Sequence, residues 1–550
     1  MADTSHDLSA LERLFARGVL SRRQFVAGLA SLGVSVSSIE ALLGAGVSVA
    51  RADTPAVGRY LVLIVLDAFR PDYMPLAAMP TVAALARTGV SYERAWVGQL
   101  ESYSPTGHAS IGTGCTPRHT GVLGFEWRDP VTKTESLDGW PPGVMAGALE
   151  HDLRESGVDS IALALKADDP SSKVVAISSE KIYAADAIGG WAADYILHHV
   201  KSQQNTMLVP AAVPGHAPPA SFFARPGLRQ KLPLSHFTDW DYLSTVLALA
   251  SLDEFRPRGL LVNLPSADYY GHPYGGPASP NVFAQIAAGI DRNISRIVQA
   301  YKAAGIFDQT IFVVTADHGM VPNTRVLDGD LTKQIVAEAG GVYYFHTGGT
   351  AAYIYLHNQQ KAKAVAQAFG RAPNVTGSYY LLDSHGTYYY DRAPGIKIDP
   401  ALDAAHHALL GTFAGPRAPD VVVSFRENTI GMKFGAAHGD HGGLNWGAQH
   451  VPLIVSGPGV NPGTTSQFPA RLIDVAPTVL RLLGLPPRSM DGVVLADALN
   501  DATAQEISVQ AALTGTLTTN QAALMEQSAS NIAEDAKLKL APPSPRAARP

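Results

Sequence analysis

Side chains that can bind a divalent metal ion are concentrated in four short segments of this 550-residue chain. The segments are Val65–Asp72 (VLDAFRPD), Asp268–His272 (DYYGH), Asp317–Gly319 (DHG) and His438–Gly443 (HGDHGG). Three of them follow apolar runs and the fourth precedes one. Each alone also fits a helix cap, an Asp–His hydrogen bond or a glycine turn. Together, their carboxylates and imidazoles predict a metal centre.

A fifth segment, Ser102–Gly114 (SYSPTGHASIGTG), carries several hydroxyl groups. A hydroxyl at the start of a helix faces free backbone N–H groups and the positive end of the helix dipole, and both favour a phosphoryl oxygen. A nearby metal ion would make such a hydroxyl nucleophilic. An ordinary N-cap is the structural alternative. The segment therefore predicts a nucleophile for phosphoryl transfer.

Composition excludes several classes of protein. Cys115 is the single cysteine, so an intramolecular disulfide and a thiolate zinc site are both impossible. The net charge of -6 and the pI of about 6.3 argue against a nucleic-acid-binding surface. A small-molecule ligand fits better.

Buried strands alternating with amphipathic helices position these segments. Tyr60–Leu66 is a continuous apolar run, typical of a parallel strand buried on both faces. Similar runs occur at Val174–Ile177, Gly259–Leu264, Thr310–Thr315, Pro419–Ser424 and Val451–Val455, and helical patterns occur at Thr81–Thr88, Gly143–Ser156, Asp239–Phe255, Asn281–Ala304 and Asp474–Leu483. This alternation predicts a three-layer α/β/α sandwich around a mostly parallel sheet, with residues 321–418 as an inserted cap.

The two ends of the chain differ from this pattern. Arg22 and Arg23, the apolar run Val26–Val49 and a small-residue cleavage motif at residues 50–52 predict a twin-arginine signal peptide over residues 1–52. The catalytic domain is expected at 53–506. A C-terminal extension is expected at 507–550, disordered over Pro542–Pro550. We expect export by the twin-arginine machinery to the periplasm or outside the cell, with no stable membrane span in the mature protein.

The order of these motifs resembles the type I phosphodiesterase/nucleotide pyrophosphatase branch of the alkaline-phosphatase superfamily. The matching stretches are LDAFRPDY, PTGHASIGTG, DYYGH, ADHGM and HGG, and the likeness extends from about Arg59 to Leu499. The resemblance implies a hydrolase of small-molecule phosphoryl esters that uses two divalent metal ions, usually zinc.

The resemblance also assigns roles to residues. One metal ion would be held by Asp268, His272 and His441, and the other by Asp67, Asp317 and His318. These groups should converge on two points about 4 Å apart. His438 is the alternative to His441 as a ligand. Ser104 is the implied nucleophile, and Thr106 is the alternative because the family's proline is displaced here by one position.

Two departures from the family pattern bear on the substrate. Phe125 stands where relatives place a phosphate-binding Asn, and Tyr183 stands where monoesterase relatives have an Arg, although Lys181 matches their Lys. Fewer phosphate donors should favour phosphodiester or pyrophosphate bonds over phosphate monoesters. Phosphate or phosphonate monoester hydrolysis remains the alternative within the superfamily.

Two further alternatives are less well supported. The stretch Cys115–Arg118 resembles the sulfatase signature Cys-x-Pro-x-Arg, but its arginine comes one residue early. A non-catalytic metal-binding protein on the same fold would explain the missing Asn and Arg. Such a protein would have little reason to retain every ligand.

Overall fold

A computed structural model describes residues 58–137, 147–431 and 438–540. The predicted signal peptide and the predicted disordered tail over Pro542–Pro550 lie outside these residues. Within the described part of the chain, no helix combines the length and the apolar character needed to cross a bilayer.

The strands are numbered in chain order. They are β1 Tyr60–Leu66, β2 Gly89–Tyr92, β3 Trp127–Arg128, β4 Glu135–Ser136, β5 Val174–Ser178, β6 Tyr195–Lys201, β7 Met207–Ala212, β8 Gln230–Lys231, β9 Gly259–Leu264, β10 Thr310–Thr315, β11 Val321–Pro322, β12 Arg325–Val326, β13 Tyr343–Thr347, β14 Ala351–Leu356, β15 Val375–Ser384, β16 Thr387–Arg392, β17 Val421–Phe425, β18 Thr429–Ile430, β19 Gly439–Asp440, β20 Leu453–Ser456 and β21 Thr464–Ser466.

The α-helices are numbered in the same way. They are α1 Pro80–Arg87, α2 Ser104–Thr113, α3 Pro117–Thr120, α4 Ala148–Ser156, α5 Ile161–Asp168, α6 Ile182–Gly189, α7 Ala220–Phe223, α8 Asp239–Phe255, α9 Ser266–Tyr274, α10 Pro280–Ala303, α11 Gly329–Glu338, α12 Ala362–Phe369, α13 Pro400–Gly411, α14 Trp446–Gln449, α15 Val475–Leu482 and α16 Ala504–Lys537.

The main sheet has ten strands in the order β21-β2-β20-β10-β1-β9-β5-β6-β7-β8. Its central strands β10, β1, β9, β5 and β6 are parallel, which confirms the predicted α/β fold with a mostly parallel sheet. Strand β1 is buried over Leu61–Leu66, as its unbroken apolar run predicts. Helices then connect the parallel strands.

One predicted parallel strand, Val451–Val455, is instead antiparallel. The corresponding strand β20 pairs antiparallel with both β10 and β2. A continuous apolar run records burial on two faces and carries no information about strand direction.

A second sheet has five antiparallel strands in the order β13-β14-β17-β15-β16. Its central strand is β17, so the predicted strand Pro419–Ser424 belongs to this second sheet and not to the main one. Burial by two flanking strands and helix α12 explains why β17 reads like a main-sheet strand.

The last described element is the 34-residue helix α16. Thr503 caps it by accepting a hydrogen bond from the backbone N–H of Glu506, and the Glu506 side chain accepts from the Thr503 N–H. Leu517 and Leu524 are buried, and Asp535 pairs with Arg325 at 2.6 Å. The extension thus packs against the main body of the protein.

Candidate active site

Three aspartates lie at the carboxyl ends of three adjacent parallel strands. Asp67 follows β1, Asp317 follows β10 by two residues, and Asp268 lies in the first turn of α9 after β9. The strand order places β1 between the other two. Because parallel strands end at the same edge of a sheet, the sheet itself brings these three carboxylates together.

Asp67 is fully buried and is surrounded by donors. Its Oδ2 accepts a hydrogen bond from Asn263 at 2.9 Å, and its Oδ1 lies 3.3 Å from the Ser104 hydroxyl and 3.2 Å from Lys181 Nζ. Burial raises the pKa of Asp67 to about 7, and the neighbouring carboxylate of Asp317 acts in the same direction. A positive charge beside Asp67 is needed to keep it ionised.

Three histidines share one arrangement, in which Nδ1 lies against a backbone carbonyl oxygen. The contacts are His272 to Gly439 at 3.0 Å, His318 to Gly319 at 2.9 Å and His441 to Ser102 at 3.0 Å. Because Nδ1 must carry the proton to donate to a carbonyl, the neutral ring presents an Nε2 lone pair. This is the orientation that metal-binding histidines adopt.

The Nε2 lone pairs of two of these histidines face Asp268. Nε2 of His441 lies 3.1 Å from Asp268 Oδ1, and Nε2 of His272 lies 3.5 Å from Oδ2. Within the described chain, Oδ1 of Asp268 has no hydrogen-bond donor. Two ligand atoms of a tetrahedral zinc ion, each ~2.0 Å from the metal, are ~3.3 Å apart. Two overlapping groups here could hold a metal ion, because their ligand atoms lie within 4.8 Å of one another: Asp268 with His318 and His441, and His272 with Asp440 and His441.

The third histidine faces the other two aspartates. Nε2 of His318 lies 3.3 Å from Asp317 Oδ2 and 3.7 Å from Asp67 Oδ1. Burial lowers the pKa of His318, so its ring is neutral and its Nε2 is free to bind a metal ion. Asp67 and Asp317 also form, with His108, a group whose ligand atoms lie within 4.8 Å of one another and could hold a metal ion.

Ser104 is the first residue of helix α2, and its hydroxyl lies beside Asp67, His318 and Lys181. Its Oγ is 3.1 Å from His318 Nε2. The helix can approach this closely because residue 107 is glycine: a Cβ there would lie 2.6 Å from the carbonyl oxygen of Asp317. The hydroxyl of Thr106 is also buried, but it has no hydrogen-bond partner among the described residues.

Lys181 supplies an ammonium group within this cluster of carboxylates. Its Nζ contacts Asp268, lies 3.2 Å from Asp67 Oδ1 and lies 3.4 Å from Ser104 Oγ. Burial alone would lower the pKa of Lys181, but Asp268 and Asp67 outweigh burial and hold it well above its ordinary value. The two carboxylates thus favour the charged form of Lys181 beside the hydroxyl.

Aromatic rings line one side of the site. Tyr103 packs edge-on against His441 and Phe125, with ring centroids 4.6 and 5.2 Å apart. Phe125 in turn packs against Tyr183 at 5.2 Å, and Lys181 Nζ lies 5.8 Å from the Tyr183 ring. The two residues that depart from the family pattern are thus neighbours in space.

Two residues near the ligands were not assigned from the sequence. Nδ1 of His108 lies 3.2 Å from Asp317 Oδ2, and a carboxylate oxygen of Asp440 lies within 4.8 Å of ring nitrogens of His272 and His441. Both belong to the motifs described above, GHAS and HGDHGG. Their residue types were therefore known from the sequence, but the residues that they contact in the fold were not. The alternative ligand His438 contacts His272 through its backbone N–H.

Comparisons with known proteins show the family and the fold of this chain. The model of the family "Type I phosphodiesterase / nucleotide pyrophosphatase" matches residues 61–444. Alkaline phosphatase PhoD of Zymomonas mobilis is 22% identical over 477 residues, covering 73% of this chain and 81% of that protein.

Two solved structures share the fold. Wild-type alkaline phosphatase PafA matches with a TM-score of 0.62 at 17% identity, covering 81% of this chain and 100% of that chain. Murine ectonucleotide pyrophosphatase/phosphodiesterase 5 matches with a TM-score of 0.54 at 16% identity, covering 79% of this chain and 97% of that chain. The chain therefore belongs to the type I phosphodiesterase/nucleotide pyrophosphatase family of the alkaline-phosphatase superfamily, and it is a phosphoric ester hydrolase.

Proposed function

We propose that this protein hydrolyses phosphoryl esters with two divalent metal ions, zinc by preference, and a serine nucleophile. Asp268, His272 and His441 would hold one ion, and Asp67, Asp317 and His318 the other. One observation carries the proposal: three histidines fix Nδ1 on backbone carbonyls and direct Nε2 towards carboxylate oxygens. When bound, the ions supply Lewis-acid stabilisation of negative charge on oxygen.

Ser104 is the proposed nucleophile. Its hydroxyl donates to Asp67 Oδ1 at 3.3 Å and lies 3.1 Å from His318 Nε2, whereas the Thr106 hydroxyl has no hydrogen-bond partner among the described residues. Attack by Oγ forms an O–P bond as the bond from phosphorus to the leaving oxygen breaks, which gives a phosphoseryl intermediate. Water then hydrolyses this intermediate and restores the Ser104 hydroxyl.

The remaining groups bind the phosphoryl oxygens. Lys181 Nζ lies 3.4 Å from Ser104 Oγ, within reach of a phosphoryl group bonded there. The first turn of α2 adds free backbone N–H groups and a positive dipole end. These groups are fixed before substrate binds, because Ser104 and Lys181 are both buried.

We further propose that phosphodiesters and pyrophosphates are preferred to monoesters. Lys181 is the one cation that we assign to phosphate binding, and the adjoining wall consists of Phe125, Tyr183 and Tyr103. A diester has one less negative charge than a monoester, and its second substituent can contact these rings. Monoester hydrolysis is the second candidate, favoured by the likeness to two alkaline phosphatases.

A substrate panel tests the proposal. The zinc-loaded protein is assayed with nitrophenyl monoester, diester, phosphonate and sulfate substrates, and bound metal is quantified in parallel. We expect two ions per chain and the highest kcat/KM on the diester. A higher value on the monoester would support the second candidate. A preference for the sulfate ester would support a sulfatase, and turnover of none would support a non-catalytic metal-binding protein.

We also propose that the protein is exported through the twin-arginine route, from the motif at Arg22 and Arg23. The mature chain is expected to begin near Asp53. Changing both arginines to lysine should leave precursor in the cytoplasm, as measured by cell fractionation and N-terminal sequencing. Normal export of the double variant would contradict this route.

A further inference from the structure

We propose that His108 positions the metal ligand Asp317 and couples it to the nucleophile's helix. The inference rests on the proposed two-metal site. Ligand atoms of Asp67, His108 and Asp317 lie within 4.8 Å of one another, but Nδ1 of His108 carries the proton that it donates to the Ser104 carbonyl. His108 is therefore assigned as a positioning residue that acts through Asp317 and Ser104.

The geometry centres on one nitrogen atom. Nδ1 of His108 lies 2.8 Å from the carbonyl oxygen of Ser104 and 3.2 Å from Oδ2 of Asp317. A carbonyl oxygen has no proton to give, so Nδ1 must be the donor. That N–H group is hydrogen-bonded to the backbone of Ser104. Oδ2 of Asp317 lies against the same nitrogen but accepts no hydrogen bond from any donor in the described chain, so the ring edge holds it by contact and polarity alone.

The other oxygen of Asp317 is fixed independently. Its Oδ1 accepts from the backbone N–H groups of Ala68 at 3.2 Å and His318 at 3.1 Å. With Oδ1 held by two backbone groups, the direction of Oδ2 depends on what faces it. His108 faces it from one side and His318 Nε2, at 3.3 Å, from the other.

His108 and Asp317 are held in place by close packing. Both side chains are fully buried, and the backbone of Asp317 packs against Gly107, directly before His108. Nε2 of His108 has no hydrogen-bond partner among the described residues. The buried imidazole of His108 thus contacts a proposed metal ligand and the helix of the proposed nucleophile through one nitrogen atom. Side chains that orient metal ligands in other proteins make contacts of this kind.

Two substitutions separate the Nδ1 donor from the rest of the ring. His108→Asn places an amide nitrogen on Cγ, as Nδ1 is, and can donate from the same position. His108→Gln places its amide one bond further along, at the position of Nε2. Competition with a chromophoric chelator measures the affinity for each of two zinc ions, and circular dichroism and Tm report folding.

We expect His108→Gln to weaken one of the two zinc affinities by about 10- to 100-fold, the loss that is typical when a side chain that orients a metal ligand is removed. The other affinity should stay within about threefold of wild type. His108→Asn should retain both affinities within about threefold. His406→Gln is the matched control, because His406 is a buried histidine of the second sheet's region whose Nδ1 contacts the Tyr379 hydroxyl at 2.8 Å. This control should lower Tm and change neither affinity.

Wild-type affinities in His108→Gln would overturn the inference, as would equal losses in the Asn and Gln variants. If the Gln variant does not fold, the Asn variant decides alone: retained affinities support the inference, and a lost site overturns it. A wild-type protein that binds no zinc would instead overturn the proposed function, and this inference with it.

Discussion

Buried aspartates occur both at the main-sheet edge and beside the second sheet, and their surroundings differ. Asp420, next to β17, receives two hydrogen bonds from Arg128, both 2.8 Å long, and others from Gln359 and the backbone of Leu356. Asp268 has an Oδ1 without any donor in the described chain and with an imidazole nitrogen 3.1 Å away. Burial is equal in the two places. What distinguishes them is that both oxygens of Asp420 have protein donors, whereas Oδ1 of Asp268 has none among the described residues.

Histidines show the same contrast. In the second sheet's region, Nδ1 of His406 lies 2.8 Å from the Tyr379 hydroxyl, and burial lowers the pKa of His406 to about 3. At the main-sheet edge, the Nδ1 atoms contact backbone carbonyls and the Nε2 atoms face carboxylates. A buried histidine alone is therefore weak evidence for a metal site. A fixed tautomer facing acceptor atoms is much stronger evidence.

The largest expected effect follows from removing one hydroxyl in each region. Ser104→Ala should cut kcat at least ~10³-fold, about 4 kcal/mol of transition-state stabilisation, with two metal ions still bound. Ser378→Ala removes a buried hydroxyl of the second sheet that has no hydrogen-bond partner among the described residues. This variant should leave kcat near wild type. Steady-state kinetics on a nitrophenyl diester and metal analysis measure both.

Thr106→Ala separates the two hydroxyls of the nucleophile's helix. We expect a small effect, because the Thr106 Oγ1 has no hydrogen-bond partner in the part of the chain that the structure describes. The reverse ranking of Ser104→Ala and Thr106→Ala would move the nucleophile two residues along the chain. Equal activity in both variants would rule out covalent catalysis from this segment.

The second prediction concerns stability. Asp420→Ala should lower the free energy of unfolding by about 3 kcal/mol, because it leaves the buried Arg128 guanidinium without its carboxylate. Asp268→Ala should instead remove one bound metal ion. Urea unfolding of the metal-free proteins and zinc analysis of the loaded proteins distinguish the two outcomes. Loss of metal from the Asp420 variant would contradict the contrast between the regions.

The smallest expected effect tests the choice of histidine ligand. His441→Gln should weaken one zinc affinity by at least about 10-fold, about 1.4 kcal/mol, whereas His438→Gln should change it by less than about threefold. The reason is that His441 Nε2 lies 3.1 Å from Asp268, whereas the contact of His438 with His272 is made by its backbone. Isothermal titration with zinc would measure this. The opposite ranking would make His438 the ligand.

The central strands and the ligand segments were predictable because a parallel strand buried on both faces must be apolar. Against such a run, the aspartate that follows β1 stands out at once. The sheet then brings together residues from distant parts of the sequence. The pattern could not reveal that His108 lies against Asp317, because the two belong to different segments of the chain and only packing brings them together.

Other features could not be read from hydrophobicity. An apolar run such as Val421–Phe425 looks the same in either sheet, and the run leading into β20 does not disclose its antiparallel direction. Helix α16 was also not predicted, although Thr503 and Glu506 form a capping box that marks its start. Most of the residues that this helix buries are polar, so the segment lacks the apolar periodicity that marks a packed helix in a sequence.

The proposed metal ligands are spread widely along the chain, and this has a consequence for biosynthesis. The first lies at Asp67 and the last at His441, and the second sheet lies between Asp317 and His441. A ribosome must therefore complete the whole second sheet before it adds the last ligand. Because domains fold broadly in the order of synthesis, the second sheet can form while the catalytic centre is still incomplete. A metal ion captured earlier would be held by only some of its final ligands.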